Sequence, residues 1–300
     1  MIVVFGSIAL DLVTNVSRIP EPGESLHCAG YALVPGSKGG NQALAAARSG
    51  ARVVHIASVG RDAHAALATD LLRSAGVDLT HVGLSDRATG LCVVTVAADG
   101  ENTVIAAAGA NLDTRVTQLE AVDFGAGDTL VLQLEVTPND NFAAAAYGRA
   151  RDARVVLNAA PAAAVPADTL ECLDFLILNE HEAMIVAESV GISARTPQEA
   201  GAALNSQHGC STIVTLGAHG VHAWHAGKEV KLPAPVILPV DTTAAGDSFV
   251  GAFVAALDAG ADFSSALQRG VIAGSLTCMA AGAQPSIPDL QQILSFTADT

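Results

Sequence analysis

Residues 241–249 combine small side chains with an acidic residue at the predicted start of a helix. The segment reads Asp-Thr-Thr-Ala-Ala-Gly-Asp-Ser-Phe, and from Phe249 onward apolar residues recur at every fourth position, as on the buried stripe of a helix. Residues 244–247 would then lie at a helix N-terminus, where free amides and the helix dipole attract anions and small side chains admit a phosphate group. Asp247 is either a capping carboxylate or a general base that takes a hydroxyl proton beside this anion pocket.

A glycine-rich segment, residues 35–41, is a second candidate site. It reads Pro-Gly-Ser-Lys-Gly-Gly-Asn and leads into a predicted helix over residues 42–49. Glycines allow the backbone and short polar side chains to approach a ligand closely, and Asn41 is suited to cap the helix. The segment is therefore either a capped structural loop or part of a binding site.

Two further clusters follow predicted strands. Asn179 and Glu182 are three residues apart and would share one face of a helix that begins there. They form either a capping box or an amide and carboxylate near Mg²⁺-bound phosphate. Residues 215–220, which read Thr-Leu-Gly-Ala-His-Gly, form a turn at a strand end that is compatible with a backbone approaching a nucleotide.

Other patterns argue against competing kinds of site. Residues 125–128 also end in Gly-Asp, but a strand follows them, so Asp128 is predicted to be a turn residue. The patterns G-x-x-x-x-G-K-[ST] and, after the first strand, G-x-G-x-x-G do not occur, which disfavours a P-loop enzyme and a Rossmann oxidoreductase. His219, His222 and His225 are spaced by three, but a strand would place His222 and His225 on opposite faces, which argues against a metal site.

The elements that must position these residues alternate between strands and helices. Short apolar runs predict strands over residues 2–5, 52–58, 129–133, 154–158, 175–178 and 212–216. Intervening segments predict helices over residues 41–49, 63–75, 141–152 and 180–190. This alternation predicts a doubly wound α/β fold with a mostly parallel sheet flanked by helices. No internal repeat or low-complexity linker interrupts it, so residues 1–300 are predicted to form one domain.

Two segments depart from this alternation. Residues 91–98 and 103–108 are strand-like and flank the turn sequence Asp-Gly-Glu-Asn, and residues 25–35 are strand-like between two Pro/Gly turns. We expect these insertions, near residues 25–36 and 91–108, to form a small β-sheet. That sheet would be a lid over a site, a dimer contact or surface decoration.

Composition limits the possible partners. The chain has 300 residues, 50% of them hydrophobic and 15% charged, which predicts a large core rather than disorder. A net charge of −15 repels polyanions, so neither a nucleic acid nor a membrane is expected as a partner. Five scattered cysteines without C-x-x-C spacing predict reduced thiols. There is neither a basic leader nor an apolar run of about 18 residues, so a cytoplasmic location is expected.

Taken in chain order, these segments resemble the ribokinase-like (PfkB) family of carbohydrate kinases. The resemblance runs essentially end to end, and its most specific part is residues 241–247. The matching segments are 6–11, 22–24, 36–41, 108–111, 133–135, 158–161, 179–182, 215–220, 241–247 and 282–286. The family fold is a doubly wound α/β domain with a small β-sheet lid that often makes a dimer contact. The resemblance therefore implies that the two insertions form a lid and that the chain forms a homodimer.

The resemblance also implies transfer of the γ-phosphoryl group of ATP to a sugar hydroxyl. Asp247 would be the general base, and the backbone amides of Ala244, Ala245 and Gly246 would form the anion hole. The residues that would face the sugar are Asp11, Lys38, Gly39, Asn41, Glu135 and Asp247. The residues that would contact ATP are Asn179, Thr215, Gly217 and Gly220, and Glu182 would hold Mg²⁺ through water. The residues that match the family's monovalent-cation site, usually occupied by K⁺, are Asp241, Thr243, Gly282 and Ser286.

Two positions depart from the family pattern where the sugar would bind. Ribokinases usually carry Asn where this chain has Ala9, and Gly where it has Ser37. Loss of the amide would leave a sugar hydroxyl without its partner, unless Ser37 supplies a replacement hydroxyl. The resemblance favours D-ribose as the acceptor and ribose 5-phosphate as the product. The alternatives are another pentose, a fructose-like hexose or a related polyol, or a catalytically silent sugar-binding regulator.

Overall fold

An eight-stranded sheet forms the centre of the computed structural model, which describes residues 1–99 and 101–296. The strands in chain order are β1 (Ile2–Phe5), β2 (Ala9–Val16), β3 (Tyr31–Gly36), β4 (Val53–Ile56), β5 (Ser58–Gly60), β6 (Gly83–Ser85), β7 (Gly90–Ala97), β8 (Asn102–Ala107), β9 (Thr129–Gln133), β10 (Arg154–Asn158), β11 (Phe175–Asn179), β12 (Ser211–Thr215), β13 (Val221–His225) and β14 (Lys228–Leu232). The central order is β14-β13-β12-β11-β10-β9-β1-β4. All pairs from β12 to β4 are parallel, and β13 and β14 add antiparallel at one edge.

The parallel strands agree with the sequence-based prediction. β1, β9 and β10 have the predicted bounds, β11 extends one residue beyond its predicted end, and β12 begins and ends one residue earlier than predicted. The predicted strand 52–58 divides into β4, in the central sheet, and β5, which pairs with β6 in a separate two-stranded sheet. The mostly parallel α/β architecture is confirmed.

Helices cover both faces of the central sheet. They are α1 (Lys38–Arg48), α2 (Ala63–Ser74), α3 (Pro138–Arg149), α4 (Ala167–Leu170), α5 (Glu180–Ser189), α6 (Pro197–His208), α7 (Ala245–Asp258), α8 (Phe263–Thr277), α9 (Ala283–Ser286) and α10 (Leu290–Ser295). Alternate residues of β1 point to opposite faces, so Ile2 belongs to the core cluster that includes α1, α7 and α8, whereas Val3 belongs to the cluster that includes α3, α5 and α6. Helix α3 begins three residues before the predicted 141, because Pro138 is suited to the first turn of a helix.

A four-stranded small sheet of order β3-β2-β7-β8 lies beside the central one. β7 and β8 form the expected antiparallel hairpin, but pairing in the predicted segment 25–35 is confined to β3. The prediction also omitted β2, which pairs parallel with β7 and antiparallel with β3 and so forms the middle of this sheet. The small sheet is confirmed, with one strand more than the sequence indicated.

Helix α1 begins at Lys38, and its N-cap is Ser37, so the prediction that Asn41 caps this helix is wrong. The Ser37 hydroxyl accepts a hydrogen bond from the backbone amide of Gly40 at 3.3 Å and donates one to the carbonyl of Ser7 at 3.0 Å. Both bonds are to backbone groups, so the only proton of the Ser37 hydroxyl is donated within the protein.

Several smaller predictions are also resolved. Asp128 lies in a turn, where its carboxylate accepts the amide of Gly125 at 3.0 Å, and β9 follows it. His222 and His225 both lie on β13. The described residues contain no group of three or more His, Cys, Asp or Glu side chains able to hold a metal. Within residues 1–99 and 101–296, no helix is long and apolar enough to cross a membrane. All five cysteines are free.

Candidate active site

Asp247 lies in the first turn of α7 and is only 6% exposed. The helix starts after Ala244, which adopts the left-handed conformation with φ 61°, and no side chain of the described residues caps it. The amide of Ala245 makes a 3.3 Å bond to the carbonyl of Thr242. The structure thus brings Ala244, Ala245 and Gly246 to a helix N-terminus, as predicted, and excludes a capping role for Asp247.

The carboxylate of Asp247 instead accepts two hydrogen bonds from α1. Asn41 donates from Nδ2 to Oδ2 and Gln42 donates from Nε2 to Oδ1, each at 2.9 Å. Gln42 also donates to Oδ1 of Asn158 at 3.0 Å. The sequence analysis assigned no role to Gln42 and included Asn158 only within the matching segment 158–161.

Gly251 allows α7 to come this close to α1. A Cβ atom on Gly251 would lie 2.4 Å from Cβ of Ala45, 2.7 Å from the amide nitrogen of Ala46 and 2.8 Å from the carbonyl of Gln42. Contacts of that length do not occur, so any larger residue would force the helices apart. The short bonds to Asp247 therefore depend on a glycine one turn further along α7.

Lys38 introduces a positive charge among carboxylates. Burial lowers the pKa of Lys38, but the carboxylates of Asp247, Glu135 and Glu182 oppose this and leave it above the ordinary value. The backbone amide of Lys38 also donates to Oε2 of Glu135 at 2.8 Å. Lys38 is therefore a protonated side chain held near the predicted base, suited to balance negative charge in a ligand.

Asp11 and Glu135 are two further carboxylates close to this group of charges. Burial and the nearby charges of Glu135 and Asp247 raise the pKa of Asp11 to about 6, while a hydrogen bond from Cys92 acts in the opposite direction. A Cβ on Gly36 would lie 2.3 Å from Oδ2 of Asp11, so this approach needs a glycine.

Gly39 and Ser7 bring α1 against the end of β1. A Cβ on Gly39 would lie 2.4 Å from the amide nitrogen of Ser7, and the amide of Gly39 donates to the Ser7 hydroxyl at 3.1 Å. Ser7 in turn donates to Oε2 of Glu135 at 2.5 Å. The amide of Gly39 is thus engaged within the protein. Position 39 requires glycine because the backbones of α1 and Ser7 come too close for a Cβ atom.

Asn179 and Glu182 form a complete capping box at the start of α5. Oδ1 of Asn179 accepts the amide of Glu182 at 2.8 Å, and Oε2 of Glu182 accepts the amide of Asn179 at 2.7 Å. Burial raises the pKa of Glu182, with the amide of Asn179 and the charge of Lys38 opposing it. The capping alternative is therefore correct. Both residues also line the main cavity, so their capping role does not remove them from the candidate site.

A cavity of about 650 Å³ lies at the carboxyl ends of the central strands. The predicted site residues that line it are Lys38, Asn179, Glu182, Thr215, Gly217, Gly220, Ala244, Ala245, Gly246 and Asp247. Its other walls include the apolar segment 234–239 and the α8 residues Gly274 and Ser275, which the sequence reasoning did not single out. The volume and mixed lining suit a nucleotide-sized ligand.

Asp241 ties together the loops that carry the predicted cation ligands. Its Oδ1 accepts the amide of Thr243 at 2.9 Å, and its Oδ2 accepts the amide of Gly282 at 2.9 Å. Ser286 ends the short helix that begins after Gly282, and its hydroxyl donates to the carbonyl of Ala283 at 2.8 Å. Asp241, Thr243 and Gly282 are thus brought together immediately before the first turn of α7.

The chain is similar to known proteins along almost its whole length. A model of the pfkB family carbohydrate kinases matches residues 1–290. A ribokinase of Haemophilus influenzae is 36% identical over 299 residues, which covers 98% of this chain and 97% of that protein. The crystal structure of ribokinase from Thermotoga maritima matches with a TM-score of 0.88 at 29% identity and covers 98% of both chains. Arabidopsis thaliana ribokinase, complexed with ribose and ATP, matches with a TM-score of 0.87 at 28% identity and covers 99% of both chains.

The comparisons extend over nearly the whole chain. A single family model spans nearly all of the chain, and a relative above 30% identity is matched over almost its full length. The similarity therefore extends to the whole architecture that surrounds Asp247, not to an isolated motif. The chain belongs to the PfkB family of carbohydrate kinases.

Proposed function

We propose that this protein transfers the γ-phosphoryl group of ATP to a hydroxyl of D-ribose and produces ribose 5-phosphate. The observation that carries the proposal is the placement of Asp247. It is buried at the uncapped start of α7, on the wall of the 650 Å³ cavity, and within hydrogen-bond distance of Asn41. The likeness to the Arabidopsis ribokinase complexed with ribose and ATP supports the same two ligands here.

In the proposed reaction, Asp247 takes the proton of the acceptor hydroxyl. The hydroxyl oxygen forms a bond to the γ-phosphorus while the bond between that phosphorus and ADP breaks, and the proton leaves on the carboxyl group. The backbone amides at residues 244–246 would stabilise the charge that develops on the transferring group, with the amide of Ala245 giving up its 3.3 Å bond to the carbonyl of Thr242. Lys38 balances the same charge because it stays protonated among its carboxylate neighbours.

We propose that Mg²⁺ accompanies the nucleotide and that Glu182 holds it through water. Glu182 is the buried carboxylate beside Asn179 on the cavity wall, and a carboxylate is a preferred ligand of Mg²⁺. When bound, the metal would neutralise charge on the phosphates. In the absence of the nucleotide and the metal, the opposite charges of Lys38 and Glu182 would offset each other.

We also propose that a monovalent cation, K⁺, stiffens the loops before α7. Asp241 joins the 241–243 turn to Gly282, and oxygen-rich turns of this kind supply carbonyl ligands. Replacing K⁺ by choline in the assay should lower turnover if a cation at this place keeps the amides of the anion hole aligned. Equal turnover in both salts would remove this part of the proposal.

Ala9 bears on the choice of acceptor. It lies on β2 two residues from Asp11 and therefore on the same face of the strand, and it is 5% exposed. A methyl group there offers no hydrogen bond to a hydroxyl. A sugar that lacks one hydroxyl, or carries it at another position, would therefore lose little binding free energy. Another pentose, a hexose or a polyol is therefore the second candidate acceptor.

A coupled assay of ADP release tests the function and the acceptor together. Ribose, 2-deoxyribose, arabinose, xylose, fructose and ribitol are compared at equal concentrations, with wild type and with Asp247→Asn. We expect ribose to give the highest kcat/KM and Asp247→Asn to lower kcat by about two to four orders of magnitude. A higher kcat/KM with another sugar would replace ribose, and sugar binding without ADP release from any of them would favour the silent regulator.

We propose finally that the chain forms a homodimer through the small sheet. All six residues of β8 are exposed, among them Ile105 at 71%, and Tyr31 on the opposite edge is 69% exposed. Edge strands with exposed apolar residues are seldom left uncovered. Light scattering should give twice the monomer mass for wild type and a monomer for Ile105→Lys, and a monomeric wild type would contradict the proposal.

A further inference from the structure

A chain of buried side-chain amides connects Asp247 to the backbone of the central sheet. Asn158, at the end of β10, donates from Nδ2 to the carbonyl of Ile177 on β11 at 3.2 Å. Its Oδ1 accepts from Nε2 of Gln42 at 3.0 Å, and the same Nε2 donates to Oδ1 of Asp247 at 2.9 Å. Gln42, Asn158 and Asp247 are all buried, and Gln42, which joins the other two, is only 1% exposed.

The carbonyl of Ile177 sets the direction of every bond in this chain. A carbonyl only accepts, so Asn158 must present its NH₂ group to Ile177 and its oxygen to Gln42. Gln42 must then turn its NH₂ group toward Asn158, and the second hydrogen of that group points at Asp247. Oε1 of Gln42 has no partner among the described residues, as expected of a side chain oriented by its donors.

The two oxygens of Asp247 are consequently held in different ways. Oδ1 is bonded to Gln42, whose other bond leads to the sheet. Oδ2 is bonded to Asn41, whose side-chain oxygen is buried without a partner among the described residues. Asn41 is free to exchange its bond for one with a ligand hydroxyl, whereas Gln42 would have to break a chain of three bonds.

We propose that Gln42 is a positioning residue that anchors Oδ1 of Asp247 and leaves Oδ2 as the oxygen that accepts the hydroxyl proton. The inference rests on the proposed kinase function. In the transfer, the O–H bond of the acceptor breaks and an O–H bond forms at Oδ2, while the hydroxyl oxygen keeps the electron pair that attacks the γ-phosphorus. Gln42 exchanges no proton and touches no substrate.

The test compares Gln42→Leu with Gln118→Leu. Leucine has nearly the volume of glutamine but no donor, and Gln118 bonds to the carbonyl of Ala57 away from the site. For Gln42→Leu we expect kcat to fall about ten- to a hundredfold, because a displaced base is badly aimed, while KM for the sugar changes by less than about threefold. Gln118→Leu should keep both kcat and KM.

Each possible outcome decides the proposal. Unchanged kcat in Gln42→Leu would overturn it, as would an equal loss of kcat in Gln118→Leu. If Gln42→Leu does not fold, Asn158→Ala replaces it and should lower kcat by a smaller factor while KM for the sugar changes by less than about threefold; an unchanged kcat refutes the inference. If wild type phosphorylates no sugar, the proposed function fails instead. Crystal structures of wild type and Gln42→Leu then decide, since a rotated Asp247 carboxylate supports positioning and an unchanged one contradicts it.

Discussion

Replacing Gly251 by alanine would show how closely α7 must approach α1. The added Cβ would lie 2.4 Å from Cβ of Ala45 and 2.7 Å from the amide nitrogen of Ala46. Carbon atoms in contact are about 3.5–4.0 Å apart, so the two helices would have to separate by roughly 1 Å. The 2.9 Å bonds from Asn41 and Gln42 to Asp247 would then approach 4 Å and no longer be hydrogen bonds.

A displacement of about 1 Å in the base should lower kcat about ten- to a hundredfold. Overpacking costs about 1–3 kcal/mol, and the higher helix propensity of alanine returns up to about 1 kcal/mol, so the free energy of unfolding should fall by about 1–2 kcal/mol. Both quantities are measurable on one preparation, by coupled ADP release at saturating substrates and by urea unfolding.

Gly148→Ala is the matched control. Its Cβ would lie 2.7 Å from Cδ2 of Leu130, in the opposite helix layer, so it should lower stability without lowering kcat. Full turnover in Gly251→Ala would refute the reasoning, because it would mean that Asp247 does not need the close helix contact. A similar loss of turnover in Gly251→Ala and Gly148→Ala would also refute it, because general destabilisation would then explain the loss.

Three further predictions concern titration and backbone strain. Burial lowers the pKa of His55 from 6.5 to about 3, so the unfolded state binds a proton between these values and stability is lost as the pH falls below about 6.5. Between pH 7 and pH 5 the free energy of unfolding of wild type, measured with urea, should fall by about 2 kcal/mol more than that of His55→Leu. Equal decreases in the two proteins would contradict this prediction. Because burial raises the pKa of Asp11 to about 6, KM for the sugar should rise as the pH falls through 6, and Asp11→Asn should abolish that rise; a flat wild-type profile would show that ionised Asp11 does not hold the sugar. Ser37 has φ 75°, so Ser37→Gly should raise the free energy of unfolding by about 1 kcal/mol, since relief of about 1–3 kcal/mol of strain exceeds the few tenths lost at the cap. A lower urea midpoint in Ser37→Gly would contradict that estimate.

Local patterns predicted the elements whose burial is uniform. β1, β9 and β10 are covered on both faces, so an uninterrupted apolar run marks each of them from end to end. The start of α7 was equally visible, because small residues and Asp247 precede a regular apolar stripe. The family resemblance then indicated which side chains would meet, and the structure brings the predicted nucleotide-facing residues into one cavity.

Features that depend on distant contacts were not visible in the sequence. β2 is half-buried and lies between β3 and β7, and its parallel partner β7 is about eighty residues further along the chain. Helix α1 includes Gly39 and Gly40 in its first turn, which local propensity opposes and close packing on Ser7 requires. Gln42 was overlooked because a glutamine in a helix is usually solvated, and only the approach of α7 turns it inward.

The connections of the small sheet have a mechanical consequence. Only Ser37 separates β3 from α1, and three residues separate β1 from β2. The small sheet thus joins, through two short links, the very turn whose amides grip the carboxylate of Asp247. In the proposed kinase, a tilt of that sheet over the sugar would therefore also shift the start of α1 and, with it, the side-chain amides that hold Asp247.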